Sequence, residues 1–348
     1  MSLETRNFFP ALQRNVSPTT SGSQLVSYSS DLATGDPIVV LIHGYPQSAF
    51  AYVYLPNTSY RFVMLCCYTN TVFSFPSWRH IIPALAPKVS LFVPELPGYG
   101  ISSMPTTTND YSKKSVGTAI LEALAAVFAV TADSPRKVII GGHDRGARVC
   151  HRLAVDKADF LHSLGLDITA TLLLDIVPTK VQWELFANPA IAQGYFHWPF
   201  LANVELATQV ITAFGGGTWV RGGMRLAGNE EGLRRVTADG AVDVYAGLFE
   251  KEETIRGSCE DYKAGATREF DEQAEDQKSG RKIEVPVLVM FSNVGIGSKS
   301  DVPATWAGWV KEGTPLETVG VDGYGHYLPE EAHDIVSAKV VEFLDKYA

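Results

Sequence analysis

The chain has 348 residues, of which 46% are hydrophobic and 19% are charged, so it has ample apolar surface to bury and is not a disordered protein. With 29 Lys and Arg against 38 Asp and Glu residues, the formal net charge is −9. This acidic balance argues against a nucleic-acid partner, because DNA and RNA are bound through basic surfaces.

The four cysteines show no spacing typical of a disulfide framework or a zinc site. The N-terminal residues lack the apolar run of a signal peptide, and no stretch of about 18 apolar residues predicts a membrane span. We therefore expect a soluble, cytoplasmic protein with no metal site and no membrane contact.

Apolar runs rich in β-branched residues alternate with stretches of helical length and period. The predicted strands are 38–42, 89–93, 138–140, 171–176, 285–291 and 316–321, and the predicted helices are 112–130, 145–161, 303–311 and 330–347. Strands that alternate with helices predict an α/β fold with a mostly parallel central sheet flanked by helices.

This alternation stops after residue 176 and resumes at residue 285, and the sequence between predicts helices without a comparable series of strands. A helical cap inserted into an α/β core has this pattern. We predict a first part of the core at 1–176, a cap domain at 177–283 and a second part of the core at 284–348.

The segment 50–77 fits neither element type. It has 28 residues, eight of them aromatic, a single charged residue, Arg61, and no clear helical or alternating period. We interpret it as an atypical insertion. It extends the cap, packs in an oligomer interface or reflects a mistaken gene model, and the sequence leaves these alternatives open.

The strongest catalytic signal is Asp144, which lies in a predicted strand–turn–helix. Gly142-His-Asp-Arg-Gly146 has the small-x-nucleophile-x-small pattern of a nucleophile elbow, with Asp in place of Ser. Flanking glycines avoid Cβ clashes in such a turn, and the N-terminus of the next helix directs N–H groups at developing negative charge. The alternative is a Gly-rich turn in which Asp144 only caps the helix.

A histidine and a second acid in hydrolase chain order support the catalytic interpretation. His326 lies between the last predicted strand and the last helix, within reach of the edge of the sheet. Asp175 and Asp301 are the candidate acids. Asp175 is favoured because it ends a strand at the carboxyl edge of the sheet, where sites gather. His43, His143 and Asp322 are predicted to be structural.

Arg145 and Arg148 lie one turn apart on the predicted helix, beside Asp144. Two cations in the first turn of a helix oppose its dipole, so a functional reason is expected. Because guanidinium groups bind carboxylates in bidentate fashion, the pair predicts a small anionic substrate. The alternative is that both arginines pair with acidic residues of the cap.

Taken together, these motifs resemble those of the haloacetate (fluoroacetate) dehalogenases, a branch of the α/β-hydrolase superfamily related to epoxide hydrolases. The matching runs are HGYPQS (43–48), WRHIIPALA (78–86), PGYG (97–100), GHDRGARVCHRLAVD (142–156), LLDIVPT (173–179), YFHWPFL (195–201), CEDYKAG (259–265) and GHYLPEEAHDIV (325–336). The resemblance implies the α/β-hydrolase fold with a helical cap inserted after strand 6.

The resemblance also implies a role for each matching position. These roles are nucleophile (Asp144), acid (Asp175) and base (His326); ligands of the substrate carboxylate (Arg145 and Arg148); ligands of the leaving halide (His197, Trp198 and Tyr262); and backbone donors of an oxyanion hole (Tyr45 and Arg145). No metal or organic cofactor is expected. The oligomeric state stays open, with a homodimer as the option that similar enzymes suggest.

The expected function is the hydrolytic removal of halide from a short 2-haloacid, through an ester on Asp144 that water activated by His326 hydrolyses. An epoxide hydrolase is the main alternative, with Tyr262 and either Tyr195 or Tyr245 as acids in the cap. A hydrolase-fold protein that binds a small acid without turnover is the other. The sequence does not decide which acid and halide are preferred, or whether C–F bonds are cleaved.

Overall fold

The structure, a computed structural model, describes residues 12–33, 37–49, 77–157, 161–224 and 227–348. These ranges hold an eight-stranded sheet: β1 (Gln13–Pro18), β2 (Gln24–Ser30), β3 (Ile38–Ile42), β4 (Ser90–Pro94), β5 (Arg136–His143), β6 (Leu166–Leu174), β7 (Val287–Ser292) and β8 (Leu316–Val321). The spatial order is β1-β2-β4-β3-β5-β6-β7-β8. β2 is antiparallel to both neighbours, and all other pairs are parallel.

The middle of the sheet is buried on both faces. Every residue of β3, β4 and β7 is buried, which explains why these strands are continuously apolar rather than alternating. Alternate residues of β3 belong to two hydrophobic clusters: Ile38, Val40 and Ile42 to one, Val39 and Leu41 to the other. Because successive side chains of a strand point to opposite faces, the core forms two layers around the sheet.

Four helices in the described residues precede the end of β6: α1 (Ile82–Leu85), α2 (Lys113–Val127), α3 (Arg145–Val155) and α4 (Leu161–Leu164). Helix α2 begins at a sequence-encoded cap, because the side chain of Ser112 accepts from the backbone N–H of Ser115. Helix α3 follows β5 directly, so its N-terminus lies at the carboxyl edge of the parallel strands. That edge is where ligand sites of open α/β sheets form.

After β6 the chain leaves the sheet and returns only at β7. The described helices between them are α5 (Thr179–Leu185), α6 (Pro189–Gly194), α7 (His197–Ala202), α8 (Val204–Phe214), α9 (Gly216–Met224), α10 (Glu230–Thr237), α11 (Ala241–Leu248), α12 (Glu252–Ala266) and α13 (Arg268–Ser279). We refer to α5–α13 as the cap helices. Helices α7 and α12 pack together and bring residues distant in sequence over the carboxyl edge of the sheet.

Three helices complete the chain: α14 (Val302–Ala307), α15 (Leu328–Glu331) and α16 (His333–Tyr347). The loop between β8 and α15 carries His326 to the same edge of the sheet as the N-terminus of α3. None of the helices in the described part of the chain has the length and apolar character needed to cross a membrane.

The predicted α/β fold with a mostly parallel sheet is confirmed, and β3 and β8 have the predicted bounds. Two parts of the sheet differ from the predicted strands. β1 and β2 were not predicted, and β6 begins at Leu166 rather than at residue 171. β1 shows no clear alternation, because it is an edge strand with exposed residues on both faces, Gln13 on one and Val16 and Pro18 on the other.

Most of the atypical segment 50–77 lies outside the described residues. On either side of it, the backbone N–H of Ser77 donates to the carbonyl of Ser48 at 3.4 Å, and the Ser77 hydroxyl donates to the same oxygen. The chain therefore leaves the core and re-enters it at neighbouring positions.

Candidate active site

Asp144 occupies the tight turn between β5 and α3, where the sequence predicts the nucleophile. Its φ is 48° and its ψ is −113°, a strained conformation for a residue with a Cβ atom. The backbone N–H of Asp144 donates to the carbonyl of Leu174 at 3.2 Å, which ties the turn to the end of β6. The side chain is 5% exposed and lies at the carboxyl edge of the sheet.

The two glycines around Asp144 allow α3 to approach the sheet closely. A Cβ atom at Gly146 would overlap the carbonyl oxygens of Ile42 and His43, and one at Gly142 would overlap the backbone of Gly146. The strand–turn–helix needs glycine at both positions for space, in addition to any role in backbone conformation.

We expect Gly146→Ala to lower the free energy of unfolding by about 2–3 kcal/mol, because the new methyl group meets backbone atoms that cannot rotate away. Urea denaturation measures the change. Gly222→Ala is the matched control, since Gly222 lies within α9 and has no heavy atom within 4 Å of the added Cβ. Equal stability of the two variants would contradict this account of the turn.

His326 lies between the carboxyl groups of Asp144 and Asp175. Its Nδ1 is 2.6 Å from Oδ2 of Asp175, and its Nε2 is 3.7 Å from Oδ2 of Asp144. Oδ1 of Asp175 accepts from the backbone N–H of Ser292 at 2.7 Å, so this carboxylate is held by the neighbouring strand β7. The three side chains have the nucleophile–base–acid order that a hydrolytic triad requires.

The other candidate acids lie elsewhere. Asp301 caps α14, where its carboxylate accepts from the backbone N–H of Ala304 at 3.0 Å. Asp322 accepts from the side-chain amide of Asn293 at 2.7 Å. Of the two acids that the sequence offered, the structure therefore places Asp175 against His326 and Asp301 in a helix cap.

The charges of this group are coupled. Burial favours the neutral form of Asp144, but the nearby His326 and Arg145 outweigh it and hold the pKa of Asp144 well below its usual range. Burial opposes protonation of His326, but its hydrogen bond to Asp175 and the two carboxylate charges raise its pKa above the ordinary value. Asp144 is thus an ionised carboxylate at neutral pH.

Backbone N–H groups reach Asp144 from the predicted oxyanion loop. The N–H of Tyr45 donates to Oδ1 of Asp144 at 2.8 Å. Arg145 is the first residue of α3, where backbone N–H groups have no acceptor within the helix. The phenol of Tyr45 accepts from the indole N–H of Trp219 in α9 at 2.5 Å, which connects the oxyanion loop to the cap helices.

The two arginines beside Asp144 have different partners. Nε of Arg145 donates to the carboxylate of Asp261 in α12 at 2.5 Å, and its Nη2 donates to the Asp261 carbonyl at 2.8 Å. Nη1 of Arg148 donates only to neutral oxygens, the Val177 carbonyl at 3.0 Å and the Thr179 hydroxyl at 3.2 Å. The alternative of pairing with an acidic cap residue therefore holds for Arg145, whereas Arg148 has no carboxylate partner among the described residues.

The three predicted halide ligands lie together above the arginines. The ring of Tyr262 in α12 is 6.0 Å from that of His197 and 5.4 Å from that of Trp198, both at the start of α7. The guanidinium of Arg148 lies 4.5 Å from the centre of the Trp198 ring, and that of Arg145 lies 4.2 Å from the Tyr262 ring. Burial lowers the pKa of His197 to about 4, so its imidazole is neutral at pH 7.

Two polar residues behind the site were not predicted. The side chain of Gln47 contacts Nδ1 of His143 at 3.0 Å and donates to the buried carboxyl group of Glu330, while Nε2 of His143 contacts the carbonyl of His326 at 2.7 Å. This network supports the loop that carries His326, and His143 is structural in it. The sequence contained a sign of their importance, because Gln47 and Glu330 lie within two of the runs that resemble the dehalogenase family, 43–48 and 325–336.

Among the known proteins that this chain is similar to are both kinds of enzyme considered above, a dehalogenase and epoxide hydrolases. The profile of a family described as alpha/beta hydrolase fold matches residues 37–195. Fluoroacetate dehalogenase of Burkholderia sp. is 26% identical over 322 residues, 88% of this chain and 87% of that protein. Epoxide hydrolase A of Mycobacterium tuberculosis is 28% identical over 334 residues, 89% of this chain and 91% of that protein.

The fold itself is shared with solved structures over nearly the whole chain. A candidate α/β hydrolase from Nostoc sp. PCC 7120 superposes with a TM-score of 0.75 at 26% identity, covering 97% of this chain and 99% of that one. The likeness therefore extends over the cap helices as well as the sheet.

Proposed function

The chain has the α/β-hydrolase fold, and on this premise we propose that it removes halide from a short 2-haloacid, such as chloroacetate or fluoroacetate, by hydrolysis. The products are the corresponding hydroxy acid and a halide ion. In this proposal Asp144 is the nucleophile, His326 the base, Asp175 its charged partner and Arg148 the main ligand of the substrate carboxylate.

The observation that carries the proposal is the unpaired charge of Arg148. Its side chain is 3% exposed and lies beside the predicted nucleophile, yet it contacts only neutral oxygens in the described part of the chain. No ion pair joins Arg148 to the nearby Asp144 carboxylate, and the charge of that carboxylate is consumed when the ester forms. The buried Nε of Arg148 has no acceptor among the described residues, and a carboxylate on the substrate supplies one together with a negative charge, which a neutral substrate does not.

The first chemical step is an in-line displacement. A carboxylate oxygen of Asp144 attacks the carbon that carries the halogen, a C–O bond forms, and the halide leaves with the electron pair of the C–halogen bond. His197, Trp198 and Tyr262 offer N–H and O–H donors to the departing anion. The enzyme then carries an ester on Asp144, whose charge has been consumed.

The second step hydrolyses that ester. His326 takes a proton from water through Nε2, and the water oxygen attacks the carbonyl carbon of Asp144. The N–H of Tyr45, now 2.8 Å from the carboxyl oxygen, stabilises the oxyanion, and Asp175 stabilises the imidazolium. The intermediate collapses by breaking the bond between the Asp144 carbonyl carbon and the substrate oxygen, and the leaving alkoxide takes a proton from the imidazolium of His326 to give the hydroxy acid. The carboxylic acid left on Asp144 loses its proton to solvent, which restores the carboxylate and the neutral imidazole.

We expect kcat to fall at acid pH while kcat/KM changes little. His326 must be neutral to accept a proton from water, so kcat is lost as the pH falls through its pKa, which Asp175 raises above the ordinary value for His. Asp144 stays ionised because its pKa lies well below the usual range. The ratio kcat/KM reports only the steps up to halide loss. Because those steps need no base, kcat/KM does not depend on the protonation state of His326. Initial rates of halide release between about pH 5 and 9 test this, and equal losses in both parameters would contradict it.

We expect Arg148→Gln to raise KM for chloroacetate about 30- to 100-fold, because one charge-assisted bond to the substrate carboxylate is lost. The matched control is Arg152→Gln, one turn further along α3. Arg152 pairs with Asp276 and Asp156, away from the site. Steady-state halide release measures both variants. A KM that rises equally in the two would mean that Arg148 acts through the fold rather than on the substrate.

The experiment that tests the proposed function is halide release from chloroacetate and fluoroacetate by the purified protein. Release from both supports the proposal. Release of chloride alone supports the mechanism but contradicts cleavage of C–F bonds. A folded protein that releases halide from neither contradicts the proposal.

Epoxide hydrolysis is the second candidate, and the position of Tyr195 favours it. Opening an epoxide needs two acids in the cap, and Tyr245 is not available because its hydroxyl donates to Glu330 at 3.1 Å. The ring of Tyr195 lies 6.1 Å from that of His197, next to the candidate site. Burial and the carboxylates of Asp175 and Asp144 raise the pKa of Tyr195, so its hydroxyl is protonated at neutral pH. Diol formation from styrene oxide that is lost in both Tyr195→Phe and Tyr262→Phe would support this candidate.

A further inference from the structure

The buried carboxylate of Asp261 joins the core to the cap beside the predicted substrate site. It accepts from Nε of Arg145 at 2.5 Å, from the hydroxyl of Tyr99 at 3.0 Å and from Nζ of Lys113 at the start of α2. Asp261 lies in α12, next to Tyr262, whereas its three donors belong to the core. The residue is 4% exposed, so its charge acts in a region of low dielectric.

A second carboxylate completes the cluster. Glu269 in α13 accepts from both the backbone N–H and Nζ of Lys113, at 3.0 and 3.3 Å. Lys113 and Arg145 pair with these two carboxylates, whereas the neighbouring Arg148 makes no ion pair among the described residues. The opposite charge that acts on Arg148 is that of Asp144, so one positive charge is left uncompensated when the Asp144 charge is removed, in the ester or in Asp144→Asn.

Arg145 has one side-chain nitrogen without a hydrogen-bond partner among the described residues. Because Asp261 occupies its Nε and Nη2, only Nη1 is left, and this buried atom has no partner within the described ranges. Once the Asp144 charge is removed, an anion beside the two arginines thus meets one uncompensated charge, that of Arg148, and one donor of Arg145 without an acceptor. A group with a single negative charge matches both.

We infer that Asp261 sets the charge selectivity of the site, so that the pocket takes monocarboxylates and discriminates against dicarboxylates of the same size. This inference rests on the proposed function, because it takes the pocket beside Arg148 as the substrate site. Asp261 is a specificity residue that acts through Arg145, and it does not contact the reacting atoms. When Asp144 is uncharged, removing the Asp261 charge as well leaves two positive charges uncompensated, which favours a ligand with two negative charges.

The test compares the binding of glycolate and oxalate, which have the same two-carbon length but carry one and two carboxylates. All variants are made in the Asp144→Asn background, where the nucleophile neither reacts nor repels the second carboxylate. Titration calorimetry gives the dissociation constant of each ligand. Adding Asp261→Asn is expected to shift the oxalate-to-glycolate affinity ratio about tenfold or more in favour of oxalate, since one unit of positive charge is released nearby.

The chain offers a matched control in Asp276→Asn. Asp276 is as buried as Asp261 and pairs with Arg152 of α3 from cap helix α13, away from the site. The control is expected to lose a similar amount of stability and to leave the affinity ratio within about twofold. Equal ratios in the Asp261 and Asp276 variants, or no binding of either acid in the Asp144→Asn background, would overturn the inference.

If Asp261→Asn does not fold, a variant that removes a positive charge instead of a negative one still tests the inference. Lys113→Gln removes a cation from the same cluster, so it is expected to shift the ratio about tenfold towards glycolate. A ratio that stays unchanged in Lys113→Gln would overturn the inference. The proposed function is judged separately by halide release from the unaltered protein: release without a shift contradicts the inference alone, and a shift without release contradicts the proposed function alone.

Discussion

Asp144→Asn is expected to slow halide release by about ten-thousand-fold or more, because the amide cannot displace halide from carbon as a carboxylate does. The substitution keeps the shape of the side chain and an oxygen that accepts from the N–H of Tyr45. The strained turn is therefore expected to persist. Halide release under saturating chloroacetate measures the loss.

The control for this variant is its thermal unfolding midpoint. If the midpoint is unaltered and the activity is lost, the variant is folded and the substitution impairs the reaction itself. If Asp144→Asn retains more than about a hundredth of the activity, Asp144 is not the nucleophile. The alternative interpretation of the Gly-rich turn, in which Asp144 only caps the helix, is not supported by the structure, because the Asp144 side chain makes no cap hydrogen bond to α3.

His326→Gln is expected to stop turnover after the first step. The ester on Asp144 still forms, because displacement of halide needs no base, but its hydrolysis falls about a thousandfold or more. One equivalent of halide per enzyme should appear in a burst, and the protein should gain the mass of the carboxymethyl group. Rapid-quench sampling with intact-protein mass spectrometry follows both signals.

The double variant Asp144→Asn with His326→Gln is the control for the ester. It should show neither the burst nor the added mass. A burst that persists in the double variant would mean that another side chain reacts with chloroacetate. Steady turnover by His326→Gln would mean that a different group activates the water.

The placing of the three candidate catalytic residues at one site could be predicted because each follows a strand of a parallel sheet. Asp144 follows β5, Asp175 follows β6 and His326 follows β8, and the carboxyl ends of parallel strands meet at one edge. Chain order and the Gly-rich elbow then indicated the role proposed for each. Asp175 was preferred over Asp301 because of its position at a strand end, and the structure places it 2.6 Å from His326.

The partner of Arg145 could not be predicted from local pattern. Asp261 lies 116 residues away and reaches Arg145 only through the packing of a cap helix on the core, which no periodicity encodes. From the sequence alone, Arg145 and Arg148 were therefore predicted to be equivalent ligands of the substrate carboxylate. The structure distinguishes them, since one guanidinium is neutralised by a carboxylate and the other is not.

The start of the sheet was missed for a different reason. β1 and β2 form its antiparallel edge, where polar residues and Ser-rich runs are compatible with a strand but do not predict one. The beginning of β6 was likewise left out of the predicted strand, because polar Asp167 and Thr169 interrupt its apolar run. Pairing with β5, which starts at Leu166, overrides that weak propensity.

The most direct test of the central claim, attack by Asp144 on the substrate carbon, is a single turnover in water labelled with heavy oxygen. With enzyme in excess over chloroacetate, we predict that the hydroxyl oxygen of glycolate comes unlabelled from Asp144 and that the label enters the Asp144 carboxylate. Mass spectrometry of the product and of the peptide containing Asp144 locates the label. Heavy oxygen in glycolate and none in the peptide would show that water attacks the substrate directly, and would contradict the account.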